Sequence, residues 1–108
     1  MKKLLQQKEM YGPEVMIDRT LKKRESKKEF PEPLMWAINV SYWNGNDWVP
    51  ICRADNYLHK HQAGSHIHTF NPDTVKRIDI TYEKADKIVK ETSKRILKEK
   101  FSIVLEFE

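Results

Sequence analysis

All four histidines of the chain, His59, His61, His66 and His68, fall within ten residues. They form two His-x-His pairs, preceded by Arg53-Ala54-Asp55-Asn56 and separated by a loop that carries Gly64. The unperturbed pKa of histidine puts its charge change near neutral pH, and imidazole is the commonest metal ligand. Residues 52–70 therefore raise the question of proton transfer or metal binding before any other.

Four uses of these residues compete. The first is a transition-metal site for zinc, nickel or manganese, held by His66 and His68. Two histidines at i and i+2 on a strand point the same way, roughly 6.5–7 Å apart at Cα, close enough to converge on one ion. Asp73, five residues after His68, gives a cupin-like spacing, but the chain is too short and too helical for that barrel. The second is nucleotide chemistry of the histidine-triad kind. It needs His-x-His-x-His, and the chain reads His66-Ile67-His68-Thr69-Phe70, so it is set aside.

The third use is metal-independent RNA cleavage. It needs a base for the 2′-hydroxyl proton, an acid for the leaving oxygen and a cation for the developing phosphorane charge. His66 and His68 supply the proton-transfer pair, Arg53 the cation, and Asp55 orients an imidazole. His59 and His61 then line the entrance and, with Tyr57 and Asn56, bind substrate; Tyr57 and Phe70 are available to stack a base, although core packing is the first expectation for Phe70. The fourth use is structural: a histidine-rich loop capping a sheet edge, with Arg53 and Asp55 as an ion pair and Asp55-Asn56 as turn formers.

The elements that position these residues are legible in part. Leu34 to Trp43 alternates, with Leu34, Trp36, Ile38, Val40 and Tyr42 on one face. Asn44-Gly45 predicts a hairpin turn, and Trp48 to Arg53 returns antiparallel. An unbroken ladder then sets Ile38 opposite Ile51 and puts Arg53 on the apolar, core-side face. An arginine there must be paired or open onto a cleft. Gly64 to Phe70 predicts a third strand with His66 and His68 on one face. Val75, Ile78 and Ile80 mark a short segment of undecided type.

Tyr82 to Lys100 predicts the one long helix, capped by Thr81, with Ala85, Ile88, Val89, Thr92, Ile96 and Leu97 facing the core. Phe101 to Phe107 alternates again with its odd positions inward. The expected fold class is α+β: an antiparallel sheet of about four strands packed against one main C-terminal helix.

Residues 1–33 are expected to form a basic N-terminal arm, in part disordered, ahead of an α+β domain over 34–108. The run Lys22-Lys23-Arg24-Glu25-Ser26-Lys27-Lys28 concentrates its charge, and Pro31 and Pro33 close it. Val15, Ile17 and Leu21 within it suit a short strand or helical turn.

The bulk composition bounds the function. One hundred and eight residues hold a single modest core, and charged residues at 33% make an ion-pair-rich surface. No run of about 18 apolar residues exists, so no membrane partner is expected. Met1-Lys2-Lys3-Leu4-Leu5 opens like a signal peptide but turns polar at Gln6, so no leader is expected. Cys52 is the only cysteine, which excludes an internal disulfide and suits a reducing cytoplasm. A net charge of +4 and a pI near 9.2 tolerate a polyanion without announcing one.

An Arg-x-Asp-Asn element ending a strand, followed by a histidine, a short loop and His-x-His, resembles small prokaryotic proteins related to the TumE-like toxins of toxin–antitoxin systems. The matching positions are Arg53, Asp55, Asn56, His66 and His68, with His59 a looser match. The resemblance spans residues 38–70. Ala54 departs from it, because an aromatic is usual there and Tyr57 comes later instead. It implies a cytoplasmic, toxin-like or nucleic-acid-directed role, with RNA and a cognate antitoxin-like protein as expected partners. A homodimer stays open. The other expectation is a non-catalytic metal-binding or protein-interaction module.

Overall fold

The computed structural model describes residues 1–58, 64–70 and 72–107. It is an α+β fold in which every strand pairs with its sequence neighbour. Six antiparallel strands follow one another as a meander: β1 (Lys2–Tyr11), β2 (Val15–Lys23), β3 (Leu34–Trp43), β4 (Trp48–Asp55), β5 (His66–Thr69) and β6 (Thr74–Arg77). One helix, α1 (Tyr82–Phe101), packs on β3 and β4. No helix among the described residues is long and apolar enough to cross a membrane.

The sheet is therefore larger than the four strands expected. Two of the additional strands come from the N-terminal segment read as an arm, and β6 comes from the undecided segment around Val75. β2 alternates Val15, Ile17, Arg19 and Leu21 toward the helix, with Arg19 buried in the apolar row. The residue survives there because Asp86 of α1 accepts from its Nε at 2.7 Å and Glu9 of β1 from its Nη1 at 3.1 Å. The expected terminal strand is not one: residues 102–107 form no strand. Its facing holds nonetheless, since Ile103, Leu105 and Phe107 pack against the core.

The core lies between one sheet face and α1. Val15, Ile17, Trp36, Ile38, Val40, Cys52 and Ala54 meet Ala85, Val89 and Leu97. Thr81 caps the helix, its hydroxyl accepting from the Lys84 amide. The helix ends at Ser102 in the left-handed region, whose N–H reaches back to the Leu97 carbonyl.

One irregularity decides where the candidate residues point. The β3–β4 turn spans residues 44–47, with Gly45 at φ +102° and the Asn44 side chain accepting from the Asn46 and Asp47 amides at 2.8 Å. The ladder then runs Trp43 to Trp48, Tyr42 to Val49 and Ser41 to Pro50, but Val40 faces Cys52. Ile51 is the extra residue of a β-bulge. Pro50 has no N–H to give the ladder, and β5 does not reach that far along β4. The bulge tucks both Ile51 and Cys52 into the core and reverses the facing of everything after them. Arg53 thus lies on the face away from α1, correcting the core-side placement expected from an unbroken ladder.

Candidate functional site

The same reversal gathers the polar residues. Behind the bulge, Asn39 faces Arg53 and Arg53 faces His68; one step along, Ala37 faces Asp55 and Asp55 faces His66. Because side chains alternate across a strand, Asn39, Arg53, Asp55, His66 and His68 all project from the face of the sheet turned away from α1. Four of them were expected to act together, and the register brings those four together.

Asp55 is the centre of the group. It is fully buried. Its Oδ2 accepts from Arg53 Nε at 2.8 Å and lies 3.1 Å from His68 Nε2; its Oδ1 accepts from the Tyr57 amide at 2.9 Å. Arg53 Nη1 also donates to Asn39 Oδ1 at 3.1 Å, and its guanidinium carbon sits 5.1 Å from the Tyr57 ring centroid. A guanidinium carries five N–H donors in a planar fork. With Nε and Nη1 turned inward and the side chain 28% exposed, its outer edge keeps donors for an anion.

Exposure separates the two imidazoles. The His68 side chain is 15% exposed, with its Nε2 buried against Asp55. His66 is 2% exposed and sits one row further from the bulge. His68 is therefore the more accessible of the two. His59 and His61 lie outside the described residues.

Asn56, expected to bind substrate, is on the other face and buried. Its Oδ1 accepts from the Trp36 amide at 2.8 Å, and its Nδ2 donates to the Leu34 carbonyl at 2.7 Å and to Glu32 at 3.3 Å. Those bonds stitch the end of β4 to the start of β3. Phe70 lies past the end of β5 and is half-buried. Asn39 is the residue that pattern reading missed. It sits among the outward positions of an apolar strand, and only the bulge reveals that it faces Arg53. Pro50 inside a strand was the available signal.

A cleft of about 520 Å³ opens at the start of α1, lined by Trp36, Asn56, Ser65, Thr81, Tyr82 and Lys84 among others. It belongs to the helix side, and neither imidazole nor Arg53 lines it. Its Ser65 hydroxyl is engaged, accepting from the Ile80 amide and donating to the Ile80 carbonyl. Among the described residues no group of three His, Cys, Asp or Glu side chains is arranged to hold a metal ion.

Comparison of the chain with protein-family models, with curated proteins and with solved structures finds no match.

Proposed function

We propose that the protein cleaves RNA without a metal, as a cytoplasmic toxin-type module that a cognate antitoxin-like protein would restrain. The observation that carries this reading is the contact of both Arg53 and His68 with one buried carboxylate, Asp55 Oδ2. A base and a cation are thereby held side by side, Arg53 partly exposed and His68 held by Asp55 at its buried Nε2, which leaves Nδ1 as the basic nitrogen in this reading. In this reading His68 takes the 2′-hydroxyl proton, and the freed oxygen attacks phosphorus. Arg53 faces the charge that builds on the phosphorane oxygens, where preorganised donors act most strongly. Asp55 fixes the ring of His68 and offsets its charge once it is protonated. The bond to the 5′ oxygen breaks as that oxygen takes a proton from water. His66, behind them, acts through this group and not on the substrate directly.

The resemblance of Arg53-Ala54-Asp55-Asn56 and His66-Ile67-His68 to TumE-like toxins supports the toxin assignment. The metal-free route is favoured because Arg53, beside His68, brings from the chain itself the positive charge that the phosphorane needs.

The test is cleavage of single-stranded RNA in the presence of a chelator, by the wild type and by His68→Ala. Cleavage by the wild type that is lost in the variant is expected. Equal rates in both, or no cleavage in either, would sink the proposal. Stoichiometric zinc, nickel or manganese in untagged protein, lost in His66→Ala, would move the reading to a metal-binding module.

A further inference from the structure

The face turned away from α1 continues beyond the histidine rows. Toward the β3–β4 turn, Met10, Met16 and Ser41 face one another across β1, β2 and β3. Beyond them Trp43 faces Trp48, with ring centroids 5.5 Å apart and planes inclined at 55°. Trp43 stands four residues from Asn39 on the same strand and the same face, about 13 Å away at the usual rise. Trp48 is 41% exposed. On the opposite flank of the row Tyr57 lies under Arg53. Two aromatic stations therefore bracket the Arg53–His68 row on the face turned away from α1, where the neighbouring Ala37–Asp55–His66 row is buried and the Arg53 and Trp48 side chains reach solvent.

The charge on that face suits a polyanion. Lys8 pairs in register with Asp18 and Lys3 with Lys22, so these three lysines share the face with Arg53, and Asp18 is the carboxylate set among them, between Lys8 and Asn39. Asp55, the counter-charge of Arg53, is buried. Lys3, Lys8, Lys22 and Arg53 outnumber Asp18 and the buried Asp55, and a chain of phosphates offsets that excess where a second copy of the same face would add to it. Bases stack on exposed rings without regard to sequence, and lysines beside the rings track the backbone.

We infer that this face, from the Trp43–Trp48 pair to the Arg53–His68 row, is the track of a single-stranded RNA, in which Trp43 and Trp48 stack a base next to the phosphodiester held at Arg53. This rests on the cleavage reading and extends it, naming the substrate as unpaired RNA and adding a binding station outside the reacting group. A duplex fits poorly, because its bases are already stacked and an A-form major groove is closed to side chains. The Trp43–Trp48 contact also braces the hairpin tip, so the test must separate stacking from folding.

The probe is a short fluorescein-labelled 2′-O-methyl oligouridine, which cannot be cleaved, titrated against the full chain by polarisation and by intrinsic tryptophan fluorescence. Binding with quenching is expected, and the matching duplex should bind more weakly. Trp48→Ala should weaken binding about 5- to 100-fold, while Trp48→Tyr, which keeps a stacking ring, should restore most of it. Lys8→Gln should lower the salt slope of binding by about one. No binding, equal binding of the duplex, or unchanged affinity in a folded Trp48→Ala variant overturns the inference. Because the probe lacks a reactive hydroxyl, binding without RNA cleavage would refute only the catalytic reading. Cleavage with no effect of Trp48 on affinity would refute only the track.

Discussion

Arg53 Nε donates to Asp55 Oδ2 at 2.8 Å although both residues stand on β4, two positions apart. Their side chains project the same way because a strand has a period of two. The pair is unequal in its surroundings, with the carboxylate fully buried and the guanidinium at the water boundary. A buried carboxylate survives only if its lone pairs are used, and here Arg53, His68 and the Tyr57 amide all approach it.

Asp55→Asn keeps the shape of the side chain and removes its charge. A carboxamide at this position cannot satisfy Arg53, His68 and the Tyr57 amide together, since half of its polar groups are donors. The expected cost is about 1–3 kcal/mol, less than for a fully buried pair because water still reaches Arg53. RNA cleavage should fall at least about 100-fold with the loss of the oriented base. The urea midpoint and the initial cleavage rate check the two halves separately. A variant as stable and as active as the wild type would show that the carboxylate holds neither group.

Asn56 makes the opposite prediction. Its side chain bonds the Trp36 amide and the Leu34 carbonyl within the protein, so Asn56→Ala strands a buried backbone donor and acceptor. Destabilisation of about 2–4 kcal/mol is expected, with affinity for RNA unchanged per folded molecule. Thermal melting and oligonucleotide titration below the melting range measure both. A loss of affinity without a loss of stability would return Asn56 to the substrate side.

The legible parts of this fold are those where one signal sufficed. The alternation of Leu34 to Trp43, the Asn44-Gly45 turn and the stripe of α1 each declared an element without reference to the rest. β2 was obscured by Arg19, a charge inside its apolar row that makes sense only once Asp86 of α1 and Glu9 of β1 are beside it. β1, an edge strand of lysine and glutamine with mostly exposed side chains, carries almost no hydrophobic pattern at all. The candidate site was legible as a set of residues but not as a face. A single inserted residue, Ile51, inverts the parity on which the facing of Arg53 was argued, and a one-residue change in register moves every following side chain to the other side.

The Arg19 network predicts a pH dependence of stability. Tyr11 and then Arg19 donate to Glu9 and hold its carboxyl below the usual 4.5. Burial alone would raise the carboxyl of Asp86, but hydrogen bonds from Arg19 and Lys90 outweigh it and leave the group below its usual 3.8. Both groups bind protons more weakly folded than unfolded, so their contribution is complete above about pH 4.5 and is lost as pH falls below these values. Asp86→Ala should cost about 2–3 kcal/mol at pH 7, since Arg19 keeps Glu9 as a partner. It should also lose less stability than the wild type between pH 7 and pH 3. Urea midpoints at the two pH values give the comparison, and parallel losses in both proteins would exclude Asp86 as a source of the acid sensitivity.

Cys52 separates a buried thiol from a reactive one. It lies in the core on the face opposite the histidine cluster, 1% exposed, although its neighbour Arg53 belongs to that cluster. Burial pushes its thiol up to about 12, because a thiolate there would have to be desolvated. The thiolate is the reacting species, so a disulfide reagent at pH 8 should modify the folded protein only as fast as the chain opens. In guanidinium the same thiol should react at the rate of a free cysteine, and the ratio of the two rates reports the stability of the β3–β4–α1 core. Cys52→Ala should leave RNA cleavage intact, since the sulfur lies in the helix-side core, on the face opposite the Arg53 and His68 side chains. Fast modification of the folded protein, or loss of cleavage in a folded Cys52→Ala variant, would place the thiol in the site and contradict the facing set by the Ile51 bulge.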